Sequence, residues 1–449
     1  MSPSMPLLVR GSRAAVAARA LPRLYTVAGR RGAATSVDDP SETRLQKNRD
    51  GQRARGAVSK ATAQELEPSL GSSKLLRNTP EEALATQGLR FADGHGLRGP
   101  SGKGRETRKM NLHQAVRDAI RTELAVNPRS FVFGEDVKAH GVFRCTQGLA
   151  DEFGEKRVFN TPLTEQGIAG FGIGLASVGS TAIAEIQFGD YIFPAFDQLV
   201  NEAAKQRYAS GGNYPLKGGS FTIRSPVMSV GHGGLYHSQS PEGFFLGANG
   251  LKVAVVRSPI QAKGVLLAAF RDPNPTIVFE PKVLYRAAIE EVPVDDYTLP
   301  LGTTDTILEG TDLTVVSYGT PLYTTLRAIE LLRNPPPQLV QFLPERLRPP
   351  NPAPSIQLID LRAINPLPLG ELTEAVKKTG RMVVVHEAGK SGSVGNNIAG
   401  EVGRRAFDHL EAPIGLVSGW DVPVPLAYEK FYQPDVIRVF DKMVETLNY

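Results

Sequence analysis

The chain has 449 residues, more than a single hydrophobic core usually organises, so at least two domains are expected. Its 41% hydrophobic and 22% charged residues are typical of a soluble globular protein, and its apolar runs are shorter than a membrane span requires. Cys145 is the one cysteine, which excludes an internal disulfide and a zinc site built from cysteines.

Residues 1–37 have the composition of a mitochondrial transit peptide. They contain six arginines, with alanines and serines, and no aspartate or glutamate. This composition predicts delivery to the mitochondrial matrix. Without those six positive charges the formal net charge of +5 becomes −1, so the basic balance gives no reason to expect nucleic acid as a partner.

Residues 38–109 are polar and show little hydrophobic periodicity, which predicts a disordered segment. A folded domain, 110–289, begins with a helix. Asn111 is its predicted cap, and its apolar face consists of Leu112, Val116, Ala119, Ile120 and Leu124. Strand and helix patterns then alternate. The strands are "FVFGED", "TAIAEIQF", "FTIRSP", "KVAVVR" and "TIVFEP", and the helices are 165–179, 194–210 and 260–270. This alternation predicts the α/β class, with a doubly wound parallel sheet between layers of helices.

Residues 290–308 interrupt the alternation and are interpreted as an interdomain linker. A second α/β unit, 309–449, follows, with predicted strands in "DLTVVSYG", "IQLIDLR" and "RMVVVHEA". It contains a proline-rich insert, 334–355, that predicts a surface loop, because proline is excluded from helix and sheet interiors.

Two phosphate-binding motifs are incomplete. The segment "GFGIGLASVG" has Leu175 where a dinucleotide fingerprint starting at Gly170 needs a third glycine. The "GKS" at 389–391 has Val384 where a phosphate loop needs its leading glycine. His232 and His237 are five residues apart and lack the carboxylate pattern that would complete a metal site.

Three residues remain as site candidates because each follows the end of a predicted strand or opens a predicted helix, where doubly wound folds bind ligands. They are Glu165, in "FNTPLTEQGIAGFGIGLASVG", Tyr191 and His237. The helix from Glu165 to Gly179 is expected to be buried on almost every side. Glu165 is also explained as a helix N-terminal charge, Tyr191 as a core aromatic and His237 as a loop histidine. These residues alone predict an α/β enzyme without specifying its reaction.

A longer resemblance runs from about Met110 to Tyr449. It is carried by "FGEDV", "GVFRCT", "FNTPLTEQGI", "AEIQFGDYIFPAFDQ", "NEAAK", "LYHSQSPE", "RSPIQAKG" and "FEPKVLYRAA". These strings resemble the β subunits of the thiamine-dependent decarboxylating component of mitochondrial branched-chain 2-oxoacid dehydrogenase complexes. The resemblance implies a pyrimidine-binding domain for thiamine diphosphate, followed by a transketolase C-terminal-like domain. The proline-rich insert and the long polar segment depart from the family.

The resemblance also implies roles for the site candidates. Glu165 matches the glutamate that hydrogen-bonds N1′ of the thiamine pyrimidine, Tyr191 a cofactor-contacting aromatic residue, and His237 the family's active-site histidine. The implied activity is that of 3-methyl-2-oxobutanoate dehydrogenase. It comprises oxidative decarboxylation of branched-chain 2-oxoacids and acylation of a lipoyl group, whose disulfide is the electron acceptor.

By the same resemblance the chain has a structural potassium site. Its implied ligands are Gly219, Phe221, Thr222, Ala269, Asp272 and Asn274. The alternative is that these residues form two ordinary turns, as "DPNP" alone suggests.

No Gly-Asp-Gly segment for magnesium and diphosphate occurs in the chain. The resemblance therefore implies an α subunit that holds magnesium and the diphosphate, in an α2β2 heterotetramer. It also implies docking to the subunit-binding domain of the lipoyl acyltransferase core. The alternatives are a pyruvate dehydrogenase β subunit, a non-catalytic scaffold paralogue, and a self-sufficient transketolase-like enzyme, which the missing segment opposes.

Overall fold

The computed structural model describes residues 73–76 and 79–449. The predicted transit peptide and about half of the predicted disordered segment lie outside the described residues. Within this part of the chain no helix combines the length and the apolar character that crossing a membrane requires.

The first domain is organised around a seven-stranded sheet. Its strands, in spatial order, are β14 (Ala363–Asn365), β7 (Lys252–Val255), β8 (Thr276–Pro281), β6 (Ser220–Val227), β5 (Thr181–Glu185), β3 (Ser130–Gly134) and β4 (Val158–Asn160). All neighbours are parallel except β14, which runs antiparallel to β7. The predicted α/β class and parallel sheet are confirmed. The edge strand β14, however, comes from the second half of the chain, and the sequence did not predict this pairing.

Helices cover both faces of this sheet. They are α2 (Leu112–Val126), α3 (Leu149–Phe153), α4 (Glu165–Ser177), α5 (Ala204–Ala209), α6 (Pro259–Phe270) and α7 (Leu284–Ala287); α1 (Pro80–Leu84) precedes them, and irregular helical turns span Gly189–Ala195 and Gln198–Ala203. Asn111 caps α2 as predicted, since its side chain accepts from the Gln114 backbone and Gln114 bonds back to Asn111. The predicted apolar face of α2 is buried and packs against α6.

The second domain contains a five-stranded sheet in the order β11 (Asp305–Leu308), β13 (Ile356–Asp360), β12 (Leu313–Ser317), β15 (Met382–Val385) and β16 (Gly415–Val417). Only β11 is antiparallel to its neighbour. The surrounding helices are α8 (Pro321–Arg333), α9 (Pro337–Phe342), α10 (Leu369–Thr379), α11 (Val394–Arg405), α12 (Glu429–Tyr432) and α13 (Val436–Leu447). Val383 and Val385 pack in a cluster with α8 and α13, while Val384 packs in another with α10 and α11. Alternate side chains of one strand thus face opposite layers.

The prediction of disorder for 38–109 is wrong for residues 79–109. This segment forms the helix α1 and two strands, β1 (Arg90–Phe91) and β2 (Thr107–Asn111). Strand β1 pairs with β10 (Tyr297–Thr298) and β2 pairs with β9 (Ile289–Pro293), both from around the predicted linker. The Arg105 guanidinium bonds Asp93 and Asp295 at 2.7–2.9 Å and lies 3.5 Å from the centre of the Phe91 ring. A polar composition concealed this order because ion pairing and strand pairing substitute for a large apolar core.

The proline-rich insert also differs from a plain loop. Helix α9 and a single turn at Glu345–Leu347 interrupt it, and neither contains a buried residue. The helix starts with Pro337 in its first turn, where the missing backbone N–H costs no intrahelical hydrogen bond. Proline therefore initiates a helix here.

Candidate functional site

The candidate site lies where four adjacent parallel strands end. Glu135 directly follows β3, Glu165 opens α4 after β4, Tyr191 follows β5, and His237 lies in the loop after β6. Parallel strands bring their carboxyl ends to one edge of the sheet, which is where open α/β sheets bind ligands. The fold therefore gathers residues that are far apart in sequence.

A direct contact joins two of the predicted residues. Tyr191 Oη lies 2.8 Å from His237 Nε2. The Phe188 ring meets both side chains edge-on, with its centre 4.8 Å from the imidazole and 5.7 Å from the Tyr191 ring. Burial chiefly raises the pKa of Tyr191, and the negative charges of Asp190, Glu165 and Glu135 raise it further. The phenol therefore remains protonated at neutral pH.

Two carboxylates face the same region. Glu165 is half-buried, and its carboxylate has no hydrogen-bond or ion-pair partner among residues 73–76 and 79–449. Glu135 is 6% exposed, and its buried Oε1 has no hydrogen-bond partner in the same set. Burial raises the pKa of Glu135, and the nearby charge of Glu165 raises it further. An unpartnered buried carboxylate is costly, so both groups are available to an external donor.

The expectation that the helix opened by Glu165 is buried on almost every side is wrong for this chain. Only Ile168, Ala169, Gly172 and Ala176 of α4 are buried. On the other side Phe171 is 47% exposed, and an added Cβ at Gly170 or Gly174 would meet nothing within 4 Å. Helix α4 therefore has one face packed on its own sheet and one apolar face open.

Sequence reasoning missed three residues at this edge: Glu135, Phe188 and Asp190. Glu135 had a usable signal, since a carboxylate directly after a buried strand marks the ligand-binding edge of such a sheet. Phe188 and Asp190 lie in the same stretch as Tyr191, and their roles depend on loop contacts that no local pattern encodes.

The residues of the implied potassium site lie on two adjoining segments. The Ser220 hydroxyl donates to the Phe270 carbonyl at 2.5 Å, which ties β6 to the end of α6. Thr222 Oγ1 is buried and has no hydrogen-bond partner within the described residues. Asp272 accepts from Asn274 at 2.8 Å and forms an ion pair with Lys252. A buried hydroxyl without a hydrogen-bond partner fits an oxygen ligand for a weakly hydrated monovalent cation.

No cluster of three or more histidine, cysteine, aspartate or glutamate side chains suited to a metal ion occurs in the part of the chain that the structure describes. The implied ligands around Thr222 and Ala269 offer oxygen atoms, with Asp272 as the one carboxylate among them. That donor set does not suit zinc or other transition metals.

Comparison with known proteins identifies the family. Residues 108–288 match the transketolase pyrimidine-binding domain, and residues 352–439 match the transketolase C-terminal domain. The chain is 51% identical over 344 residues to the mitochondrial 2-oxoisovalerate dehydrogenase subunit beta of Dictyostelium discoideum, covering 77% of this chain and 88% of that protein. The chain belongs to the 2-oxoisovalerate dehydrogenase β-subunit family. The family resemblance predicted from the sequence is confirmed.

Two further comparisons show how specific this family assignment is. The pyruvate dehydrogenase E1 component subunit beta of Staphylococcus aureus (strain MW2) is 36% identical over 343 residues, which cover 76% of this chain and 99% of that protein. The family member from Dictyostelium is thus closer to this chain than this pyruvate-type relative. A solved split-gene transketolase chain superposes with a TM-score of 0.58 at 20% identity, covering 76% of this chain and 99% of that one, and supports the fold alone.

Proposed function

We propose that this chain is the β subunit of a mitochondrial branched-chain 2-oxoacid dehydrogenase. Together with an α subunit, it carries out the thiamine-diphosphate-dependent oxidative decarboxylation of branched-chain 2-oxoacids and the acylation of the lipoyl group of the core acyltransferase. The observation that carries the proposal is the 51% identity to a 2-oxoisovalerate dehydrogenase subunit over 88% of its length. The unpartnered carboxylate of Glu165 and the Tyr191–His237 pair support it.

Thiamine diphosphate supplies the electron sink for decarboxylation when it is bound. Glu165 fits the pyrimidine N1′ position, because its carboxylate has no competing partner among the described residues. It would hold a proton between its own oxygen and that nitrogen. The neighbouring Glu135 has a raised pKa and therefore holds a proton more readily, which limits the repulsion between the two acids.

His237 would act through its imidazole on the reacting oxygen or the acyl acceptor. Tyr191 has a raised pKa, so its phenol can donate to Nε2 across the 2.8 Å contact. In that arrangement the neutral imidazole has its own proton on Nδ1. Tyr191 and the edge of Phe188 thereby fix the ring plane, so the histidine needs little reorganisation during the reaction.

The partner is supported by the open face of α4. Phe171 within α4 is 47% exposed, and Leu163 just before the helix and Val178 just after it are 83% and 56% exposed. An apolar face beside a half-built site fits burial by another subunit. We assign it to the α subunit, which would hold magnesium and the diphosphate in an α2β2 heterotetramer. The second domain would dock the subunit-binding domain of the acyltransferase.

Potassium, the matrix location and the transit peptide belong to the same proposal. Potassium is supported by the buried unpaired hydroxyl of Thr222 on β6, the strand that the Ser220–Phe270 hydrogen bond ties to the end of α6. The matrix location is supported by the arginine-rich composition of residues 1–37 and by the mitochondrial name of the Dictyostelium relative. The scaffold alternative is weakened because Tyr191 and His237 are arranged as a pair that a scaffold does not need.

The test is decarboxylation of 3-methyl-2-oxobutanoate and of pyruvate by this chain co-expressed with an α subunit, followed by reduction of an artificial electron acceptor. We expect the branched acid to be preferred, and Glu165→Gln to abolish activity. Glu371→Gln is the control, because Glu371 also lies in the first turn of a helix, α10, but its carboxylate accepts from the Thr304 backbone N–H and hydroxyl. A preference for pyruvate would change the substrate assignment, and full activity in Glu165→Gln would remove the assigned role of that residue.

A further inference from the structure

The loop that contains His237, residues 228–240, is an irregular segment closed at its base. The Met228 N–H donates to the Gln239 carbonyl at 3.2 Å. Inside the loop Gly231 and Gly234 have φ of 93° and 66°, in the left-handed region that glycine tolerates. Such a segment cannot hold its backbone through a sheet ladder, so its position depends on other hydrogen bonds.

Three of those bonds are made to two acids of the second domain. Glu387, just beyond β15, accepts from the Ser229 backbone N–H at 2.6 Å. Glu429, the first residue of α12, accepts from the Gly231 backbone N–H through Oε1 and from the Ser238 hydroxyl through Oε2 at 3.4 Å. Glu387 and Glu429 are 2% and 3% exposed. Their carboxylate oxygens therefore lie within the protein interior, where a hydrogen bond is electrostatically stronger than in water. Burial raises the pKa of Glu387 to about 7, while its bond to Ser229 and the charge of Lys282 oppose that shift.

The first domain contributes a third carboxylate and a cation. Asp190, which follows β5, accepts from the Gln239 backbone N–H at 3.1 Å. Lys282 is 4% exposed, and its ammonium has no hydrogen-bond partner within the described residues. Burial lowers the pKa of Lys282 to about 8, and Asp190, Glu387 and Glu429 oppose that shift. One buried cation is thus surrounded by the three acids that bond the loop.

The cluster reaches the candidate site through one aromatic ring. The Lys282 ammonium lies 5.9 Å from the centre of the Phe188 ring, and that ring stands edge-on to the His237 imidazole at 4.8 Å. Glu429 bonds Ser238, the residue next to His237. Displacing a reacting group by about 1 Å can cost roughly a hundredfold in rate. Bonds at these flanking positions can therefore control where the imidazole lies.

We propose that Glu387 and Glu429 are positioning residues, through which the second domain holds the His237 loop in its reactive arrangement. The inference rests on the proposed function for the role of His237, but the hold on the loop is a property of the fold. A merely structural role would loosen the domain interface as a whole. A positioning role loosens residues 228–240 and slows the chemical step without weakening substrate binding.

The experiment uses the full chain assembled with its α subunit and compares Glu387→Gln and Glu429→Gln with Glu290→Gln. Glu290 is a matched control, because it is 2% exposed and accepts from the Ile260 backbone N–H at 2.6 Å, outside the loop. Hydrogen exchange is followed by mass spectrometry on peptides covering 228–240 and 259–270. Turnover of 3-methyl-2-oxobutanoate is measured in parallel, and Glu429→Asp tests rescue by a carboxylate.

In Glu429→Gln and Glu387→Gln we expect exchange in 228–240 to accelerate by roughly tenfold, because the neutral amide oxygen accepts the same hydrogen bonds only about half as strongly as a carboxylate. The kcat should fall by about tenfold with KM changed less than about twofold, and Glu429→Asp should recover part of kcat. The Glu290 variant should accelerate exchange only in 259–270.

Unchanged exchange in 228–240 would overturn the proposal. So would equal acceleration in both peptides, or faster exchange with unchanged kcat. A wild-type complex inactive on 2-oxoacids would refute the proposed function, while the exchange data would still decide whether the acids hold the loop.

Discussion

The glycines of α4 lie on two different faces of the helix. Gly172 lies on the face that packs within the chain, and Gly170 and Gly174 lie on the open face. An alanine Cβ at position 172 would lie 2.8 Å from Phe221 Cδ2 and 3.0 Å from Cζ. Carbon atoms pack best at about 3.5–4.0 Å. Phe221 is 3% exposed, so its ring has no solvent into which it can move. At Gly170 and Gly174, by contrast, the added carbon meets nothing within 4 Å.

These distances predict opposite effects on stability. Alanine in place of glycine in a helix interior gains roughly 1 kcal/mol, whereas overpacking a rigid core costs about 1–3 kcal/mol. Phe221 Cε2 would lie closer still to the added carbon, so the cost should reach the upper part of this range, about 2–3 kcal/mol. Gly172→Ala should therefore lower the free energy of unfolding by about 1–2 kcal/mol net. Gly170→Ala should raise it by up to about 1 kcal/mol. For domains of this size, 1 kcal/mol corresponds to about 2–4 °C in Tm.

Thermal unfolding of the purified chain, followed by circular dichroism, measures these changes. Size-exclusion chromatography with the α subunit measures assembly. We expect Gly170→Ala to raise Tm and to weaken assembly, since its methyl group projects from the open face. The reasoning fails if Gly172→Ala unfolds at the wild-type temperature, or if Gly170→Ala assembles with unchanged affinity.

Three other predictions concern single side chains. Tyr191→Phe should lower kcat by about tenfold by freeing the His237 ring. Tyr214→Phe, which removes a phenol that donates to the Ile173 carbonyl of α4 at 3.2 Å and does not contact His237, should not; equal losses in steady-state assays would contradict this. Burial raises the pKa of Glu242 from an ordinary 4.5 to about 7. Its contribution to stability is therefore present below pH 4.5 and lost as the pH rises to 7. Burial also raises the pKa of Glu387 to about 7, so urea unfolding at pH 5 and pH 7.5 should show a smaller loss in Glu242→Gln than in the wild type; an equal loss would contradict this. Replacing potassium by a large organic cation should lower the Tm of the wild-type complex, and Thr222→Val should abolish that difference; an identical shift in the variant would exclude Thr222 from the site.

The elements that could be predicted from the sequence are those whose burial is encoded locally. The apolar residues of α2 repeat with the helical period, and Asn111 caps the helix, so the position of α2 could be predicted without tertiary information. The buried strands β12, β13 and β15 are short apolar runs between turn signals. Helix α4 was misread because an apolar face that is open in this chain looks, in sequence, the same as one buried inside it.

Contacts between residues far apart in sequence limited how much of the candidate site could be predicted. Tyr191 and His237 could be proposed separately, but their contact spans 46 residues and depends on the course of the loop after β6. The bonds from Glu387 and Glu429 to that loop span 158 and 198 residues. Nothing near either glutamate in sequence distinguishes it from an ordinary charged residue, because its function depends on a backbone N–H in another domain.

The edge strand β14 has a consequence for how this protein can be divided. It pairs with β7 of the first sheet although its neighbour in sequence, β13, lies in the second. Arg257, two residues beyond β7, bonds Asp360 at 2.9 Å and Asp305 at 2.7 Å, both on strands of the second sheet. A fragment ending at residue 289 would expose the edge of β7 and leave a buried guanidinium without its acids. The two halves should therefore unfold in a single cooperative transition, and neither should be transferable alone as a module into another protein.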